Sequence, residues 1–203
     1  QRLRAELMGL FSRHLSPALA DAMWARRAEF LDGGRPRPQA LPVTVLFADL
    51  RGYSSLSERT APEVLLDYVS AFTEAMAAEV QRHGGVVDDY AGDGIKADFG
   101  VPLASRTPEA VRDDARRAAA CALAMRAALD RLNAAWTARG FPAAGMRVGL
   151  HSGDAVAGTI GGAERLKYTV VGDTVNTAAR LEQLDASTHD FAAQPCRILL
   201  SGE

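Results

Sequence analysis

The spacing of apolar residues changes several times along the chain, and each change marks an element. Leu3, Leu7 and Leu10, then Leu15, Leu19 and Met23, recur at helical spacing and predict helix over residues 1–31. A seam pairing two such helices and an amphipathic helix packed on its own domain both satisfy that stripe. GGRPRPQALP (33–42) breaks it with two glycines and three prolines. The chain therefore divides into a helical signalling or dimerisation segment (1–34), a linker (35–42) and one compact unit (43–203). VTVLFAD (43–49) is a short β-rich apolar run, expected as a buried strand. A helix is expected over 62–83, with Pro62 in its first turn and Gly84-Gly85 as its stop. VVDDYAGDGIKADFG (86–100) reads as two strands joined at Ala91-Gly92-Asp93-Gly94. An alanine-rich helix follows over 108–138. MRVGLHSG (146–153) and DAVAGTIG (154–161) are expected as two strands around a tight Ser-Gly-Asp turn. KYTVVG (167–172) is a further extended piece, DTVNTAARLEQL (173–184) a helix capped by Asp173, and CRILLS (196–201) a closing strand. The core order βαββαβ predicts an α+β fold with a ferredoxin-like split βαβ core, preceded by a helical arm.

Composition narrows the classes. Of 203 residues, 48% are apolar and 24% charged, a globular balance able to bury a core. With 23 Lys and Arg against 25 Asp and Glu, the chain lacks the basic excess of a nucleic-acid or anionic-membrane binder. Cys121 and Cys196 make no disulfide framework and no metal spacing, which points to a reducing compartment. No apolar run approaches the ~20 residues of a membrane span. Because the chain opens on Gln1, it is expected to be a fragment, the cytoplasmic part of a longer protein, with a membrane or sensor region upstream left open. His14, His83, His151 and His189 show no zinc-ligand spacing, and no GxxxxGK[ST] run is present.

Three segments carry candidate chemistry. In FADLRGYSS (47–55), Asp49 ends a buried strand ahead of a turn at Gly52, with Ser54-Ser55 near a helix start. A carboxylate there suits a hard cation, and the turn and helix N–H groups suit phosphates; a simple cap of the turn is the other reading. Gly92-Asp93-Gly94 offers a second carboxylate at a hairpin tip, or an ordinary Asp-Gly turn. In a split βαβ sheet the first strand lies beside the hairpin, so Asp49 and Asp93 converge, as two-metal phosphoryl transfer requires. In YTVVGDTVNTAARLE (168–182), Asn176 and Arg180 are four apart and share a helix face. Arg180 suits a phosphate and Asn176 a sugar oxygen, although a solvated face has the same pattern.

Taken together, VLFADLRGYSSLSE, GGVVDDYAGDGIKADFG, MRVGLHSGDAVAGTIG and YTVVGDTVNTAARLE, in that order, resemble the catalytic domain of class III nucleotidyl cyclases of bacterial type. The resemblance implies conversion of ATP or GTP to the 3′,5′-cyclic nucleotide and pyrophosphate, for intracellular signalling. It implies two divalent ions, Mg²⁺ or Mn²⁺, on Asp49, Asp93 and the Leu50 carbonyl. Gly52, Tyr53, Ser54 and Arg147 would take the triphosphate, Asp89 and Thr169 the purine, Asn176 the ribose and Arg180 the transition-state charge. It implies a homodimer with Asp49 and Asp93 from one subunit and Asn176 and Arg180 from the other.

Two departures bear on that reading. Adenylyl cyclases usually place Lys where Asp89 stands, and guanylyl cyclases Glu. A carboxylate accepts from guanine N1–H and N2–H, so Asp89 favours GTP, while the bacterial family favours ATP. Asp88 and Asp89 also fit a solvated acidic turn. A later Lys that binds the β and γ phosphates has no match before Glu203. The competing function is a catalytically inactive, cyclase-like regulatory nucleotide-binding dimer.

Overall fold

The computed structural model describes residues 21, 24–32, 35–51, 53–58, 60–105, 107–162, 165–184 and 189–202. The helix expected over the first 20 residues and the turn at Gly52 lie outside them. A four-residue helix α1 (Arg27–Phe30) leads into a small pair, β1 (Leu31–Asp32) and β2 (Arg35–Pro36). The main unit then runs β3 (Gln39–Arg51), α2 (Tyr53–Ser57), α3 (Pro62–Arg82), β4 (Val86–Ala91), β5 (Gly94–Phe99), α4 (Pro108–Ala138), β6 (Gly145–Gly162), β7 (Arg165–Val171), α5 (Asp173–Gln183) and β8 (Cys196–Gly202).

The sheet order is β4-β5-β3-β6-β7, with β8 pairing parallel to the first half of β6. Its first four strands have the ferredoxin-like order expected from βαββαβ. Period-two alternation sorts β3 between two cores. Leu46, Ala48 and Leu50 face α3 and α4, where Phe72, Met76, Met125 and Leu129 are buried. Leu41, Val43 and Val45 face the other side, with Ala155, Ala157, Val170 and Ala178 of α5. Two helices therefore cover one face, while α5 covers the other.

Three local expectations are corrected. The strand begins at Gln39 rather than after the proline-rich stretch, because residues 39–42 pair with residues 154–157 of β6. MRVGLHSG and DAVAGTIG form one strand, not two around a turn. Ser152, Gly153 and Asp154 stay extended because Thr44, Val43 and Pro42 pair with them across β3, and Thr44 Oγ1 lies 2.7 Å from Ser152 Oγ. Gly153 is there for closeness, since a Cβ would meet Thr174 Oγ1 at 2.8 Å. Asp173 is the first helical residue of α5, and Gly172 holds the cap position at φ +144°, so no side chain caps that helix.

The tightest contact lies at Gly149. A Cβ there would fall 2.3 Å from Glu182 N and 2.4 Å from Ala178 O. Helix α5 thus rests backbone to backbone on β6. The Gly149→Ala variant is expected to lose about 3 kcal/mol, the upper end for overpacking, because the clashing atoms are main chain. Urea unfolding should show a lower midpoint at unchanged slope.

Candidate active site

The hairpin and the central strands bring the first group of residues together. Asp49 pairs across the sheet with Gly94 on one side and Arg147 on the other. Gly92 and Asp93 form the two-residue turn between β4 and β5, with Gly92 at φ +63° and Asp93 not at positive φ, the pattern of a type II′ hairpin. Leu50 N donates to Asp93 O at 3.3 Å, tying the tip to the end of β3. Burial first, and then the Asp49 charge, raise Asp93 above the ordinary carboxylate range.

Arg147 completes this group. Its Nη2 contacts Asp49 Oδ2, and its Nε lies 2.9 Å from Glu182 Oε1. Glu182 is buried on the inner face of α5, and its pKa is raised chiefly by that burial. A cleft of about 490 Å³ opens here, lined by Asp49, Gly94, Arg147, Ala179 and Glu182 among others. Two carboxylates with a neighbouring Leu50 carbonyl form an all-oxygen donor set that fits a hard divalent cation. The guanidinium on Asp49 shows that the site attracts positive charge. Among the described residues no three His, Cys, Asp or Glu side chains gather as a metal cluster, so the candidate centre is a two-carboxylate one. Tyr53 projects to the other side of β3, where it lines an apolar cavity of about 600 Å³ with Leu50, Tyr68 and Phe141. Ser54 lies in α2.

A second group joins β4 and β5 to β7. A bulge between Val87 and Asp89 puts two consecutive carboxylates, Asp88 and Asp89, on the side shared with Lys96. Asp88 is buried and accepts from Lys96 Nζ, from Thr169 Oγ1 at 2.7 Å and from Val170 N at 3.4 Å. Burial alone would raise its pKa, but the Lys96 charge and the bonds from Lys96 and Thr169 outweigh that and hold it below 3.8. Lys96 Nζ also donates to Val170 O at 2.8 Å and stands 3.8 Å from Asp98. Asp98 is enclosed, and burial drives its pKa well above the ordinary value, against the lowering pull of the Lys96 charge. Asp89 is exposed and pairs with Lys167 Nζ at 2.8 Å. Thr169, the other expected base reader, is buried and spends its hydroxyl proton on Asp88.

The third group is the outer face of α5. Thr174, Ala178 and Glu182 are buried, whereas Asn176 and Arg180 are exposed. Two residues along a helix is a rotation of about 200°, so Asn176 and Arg180 point away from the face that meets Arg147. Arg180 Nη1 lies 3.9 Å from Asp173 Oδ1, a loose surface pair between side chains 73% and 84% exposed.

The sequence reading missed Glu182, Lys96 and Lys167. Glu182 had a signal, since it continues the buried i, i+4 row from Thr174 and Ala178. Lys96 and Asp98 alternate with Ile95, Ala97 and Phe99, which reads as an ordinary solvated strand face. Lys167 acquires its partner only through the β4 bulge.

Comparison with known proteins places this geometry. The family model for the adenylate and guanylate cyclase catalytic domain matches residues 36–189. Adenylate cyclase 1 of Rhizobium meliloti (strain 1021) is 36% identical over 143 residues, covering 70% of this chain and 21% of that protein. The crystal structure of the guanylyl cyclase Cya2 is similar at TM-score 0.66 and 38% identity, over 71% of each chain. The adenylyl cyclase CyaB from P. aeruginosa matches at TM-score 0.68 and 32% identity, over 72% of this chain and 74% of that one. The chain spans between 21% and 33% of the length of the first curated relatives it matches.

The buried charge group yields a stability test. Lys96→Met removes the ammonium that donates to buried Asp88, leaving Lys167 Nζ at 3.5 Å as its remaining cation, and is expected to cost about 3 kcal/mol. Adding Asp88→Asn should recover part of that loss in urea unfolding at neutral pH. With its pKa below 3.8, Asp88 contributes stability above that pH, and the contribution fades as acidification passes the lowered value.

Proposed function

Because the chain belongs to the adenylate and guanylate cyclase catalytic domain family, we propose that it converts ATP or GTP to the 3′,5′-cyclic nucleotide and pyrophosphate as a homodimer, each site drawing on both copies. One observation carries the dimeric reading. Glu182 on the inner face of α5 meets Arg147 and through it Asp49, while Asn176 and Arg180 face the opposite way. One copy therefore does not gather all four residues around one nucleotide. Val156 and Val171, directly opposite across β6 and β7, and the nearby Ile160 are 41%, 49% and 55% exposed, an apolar surface that a second copy would cover.

The chemistry divides among the groups already described. Asp49, Asp93 and the Leu50 carbonyl would hold two divalent cations, which when bound would lower the pKa of the ribose 3′ hydroxyl and hold the triphosphate. Arg147 and the backbone of Gly52, Tyr53 and Ser54 would take phosphate oxygens. Asn176 of the second copy would orient the ribose for attack of the 3′ oxygen on the α-phosphorus. Arg180 would offset the charge that grows on the α-phosphate oxygens as pyrophosphate leaves. At the base, Asp89 alone suits the N–H donors of guanine. Lys167, 2.8 Å away, adds a donor for adenine N1 or guanine O6. The pair therefore matches ATP and GTP, with Thr169 as a buried support.

The purified chain is expected to form cyclic nucleotide and pyrophosphate from ATP or GTP with Mn²⁺; product from neither would sink the enzyme reading. Arg180→Ala should lower kcat by about 100-fold or more. Equal mixtures of Asp49→Asn and Arg180→Ala chains, each inactive alone, should regain about a quarter of wild-type activity. Half of randomly paired dimers are mixed, and each mixed dimer has one intact site of two. A mixture as inactive as its components would rule out shared sites. Asp89→Lys should shift the kcat/KM ratio toward ATP, and an unchanged ratio would remove Asp89 from base reading.

A further inference from the structure

Two carboxylates pull on Arg147 from different sides. Its Nη2 touches Asp49, and its Nε lies 2.9 Å from Glu182 Oε1. The second contact is incomplete. Arg147 Nε and Glu182 Oε1 are both buried, yet neither makes a hydrogen bond, so the N–H is not aimed at the oxygen despite the short separation. The main chain of Glu182 is held in place. Gly149 lies against its backbone N, and Arg197 donates to Glu182 O at 2.8 Å and to Leu184 O at 2.7 Å. Arg147 has the freedom instead, with a side chain 25% exposed against 7% for Glu182.

We propose that Arg147 is the counter-cation of Asp49 while that carboxylate holds no metal ion, and that Glu182 is the positioning residue that receives its guanidinium when Asp49 turns to a divalent cation. The inference rests on the proposed function, in which Asp49 is a metal ligand. A guanidinium and a divalent ion repel one another at a single carboxylate, so Arg147 must leave as the ion arrives. Turning toward Glu182 completes the Nε–H···Oε1 bond and satisfies two buried atoms that lack one. The same turn leaves the Nη edge toward the cleft, where its planar fork can take two phosphate oxygens. Glu182 touches neither substrate nor metal; it sets where Arg147 goes.

The test is a double-mutant cycle on Mn²⁺ affinity, measured with the whole chain and no nucleotide from the paramagnetic signal of the free ion. Glu182→Gln is expected to weaken Mn²⁺ binding about fivefold, because Arg147 then stays on Asp49. In an Arg147→Met background the same change should alter it less than about 1.5-fold, a coupling of the size seen between contacting residues. Equal weakening in both backgrounds would mean that the Glu182 charge acts directly on the ion, and would overturn the proposal. So would no weakening in either. If Glu182→Gln does not fold, Glu182→Asp, which draws the carboxylate back from Nε, carries the same cycle with an expected effect of about twofold. Mn²⁺ binding that is absent from the wild type, or that survives Asp49→Asn, overturns the metal assignment and the proposal with it. Binding that depends on Asp49 but shows no coupling overturns the role of Glu182 alone.

Discussion

The close packing of α5 on β6 at Gly149 governs the geometry of the site. With no side chain at that position, the helix backbone rests directly on the strand, and its rotation is fixed. Fixing the rotation decides which residues face in and which face out. Glu182 goes under the sheet to meet Arg147, and Asn176 and Arg180 go to the surface. A looser helix could turn and blur that division. The hydrophobic content of this face is modest, built on Val43, Val45, Ala155, Val170 and Ala178. Close approach of main chain therefore does what bulky side chains do on the face covered by α3 and α4.

The uneven covering of the sheet explains where the charges lie. The face under α3 and α4 buries aromatic and aliphatic side chains continuously, including the Tyr68–Trp136 stack with ring centres 3.7 Å apart. The face under α5 holds Asp49, Arg147, Lys96, Asp98 and Asp88 within or beside a smaller core. Burying that many ionisable groups is tolerable only in compensated sets. Lys96 lies between Asp88 and Asp98, and Arg147 lies between Asp49 and Glu182. The first set joins the hairpin to β7 through buried hydrogen bonds, so it is structural. The second lines a cleft, so Arg147 has somewhere to go.

Period and punctuation in the sequence made most of the fold legible. The βαββαβ order, the α3 and α4 helices and the hairpin at Gly92 and Asp93 all follow from local rules, because each is settled by neighbours in sequence. The reading of residues 152–154 as a turn did not hold, since Ser-Gly-Asp has turn chemistry and only the partner strand β3 keeps it extended. Among site residues, Asp49, Asp93 and Arg147 meet as the split βαβ topology requires. Lys96 and Lys167 left no mark in the sequence, and Glu182 only that of the buried i, i+4 row. Each acts through a partner distant in sequence, brought close by a bulge, a buried strand face or a glycine contact.

Keeping the proposed metal site ready carries an electrostatic cost that Arg147 would offset from within. Asp49 and Asp93 lie close enough that the first raises the proton affinity of the second. Without a cation the pair would repel, and the hairpin tip that carries Asp93 would be pushed from the end of β3. Arg147, on the neighbouring strand and in register with Asp49, neutralises that repulsion in the absence of metal. A lysine could supply the charge there, but its single ammonium has no second edge to meet Glu182 at the same time. The planar guanidinium spans both carboxylates, so one side chain can preserve the shape of the site before metal arrives and still have a defined place to move afterwards. On the proposed roles, the affinity of the site for metal is a difference, the attraction of two carboxylates less the cost of releasing Arg147. That cost is set by Glu182, whose backbone is held in place by the packing at Gly149.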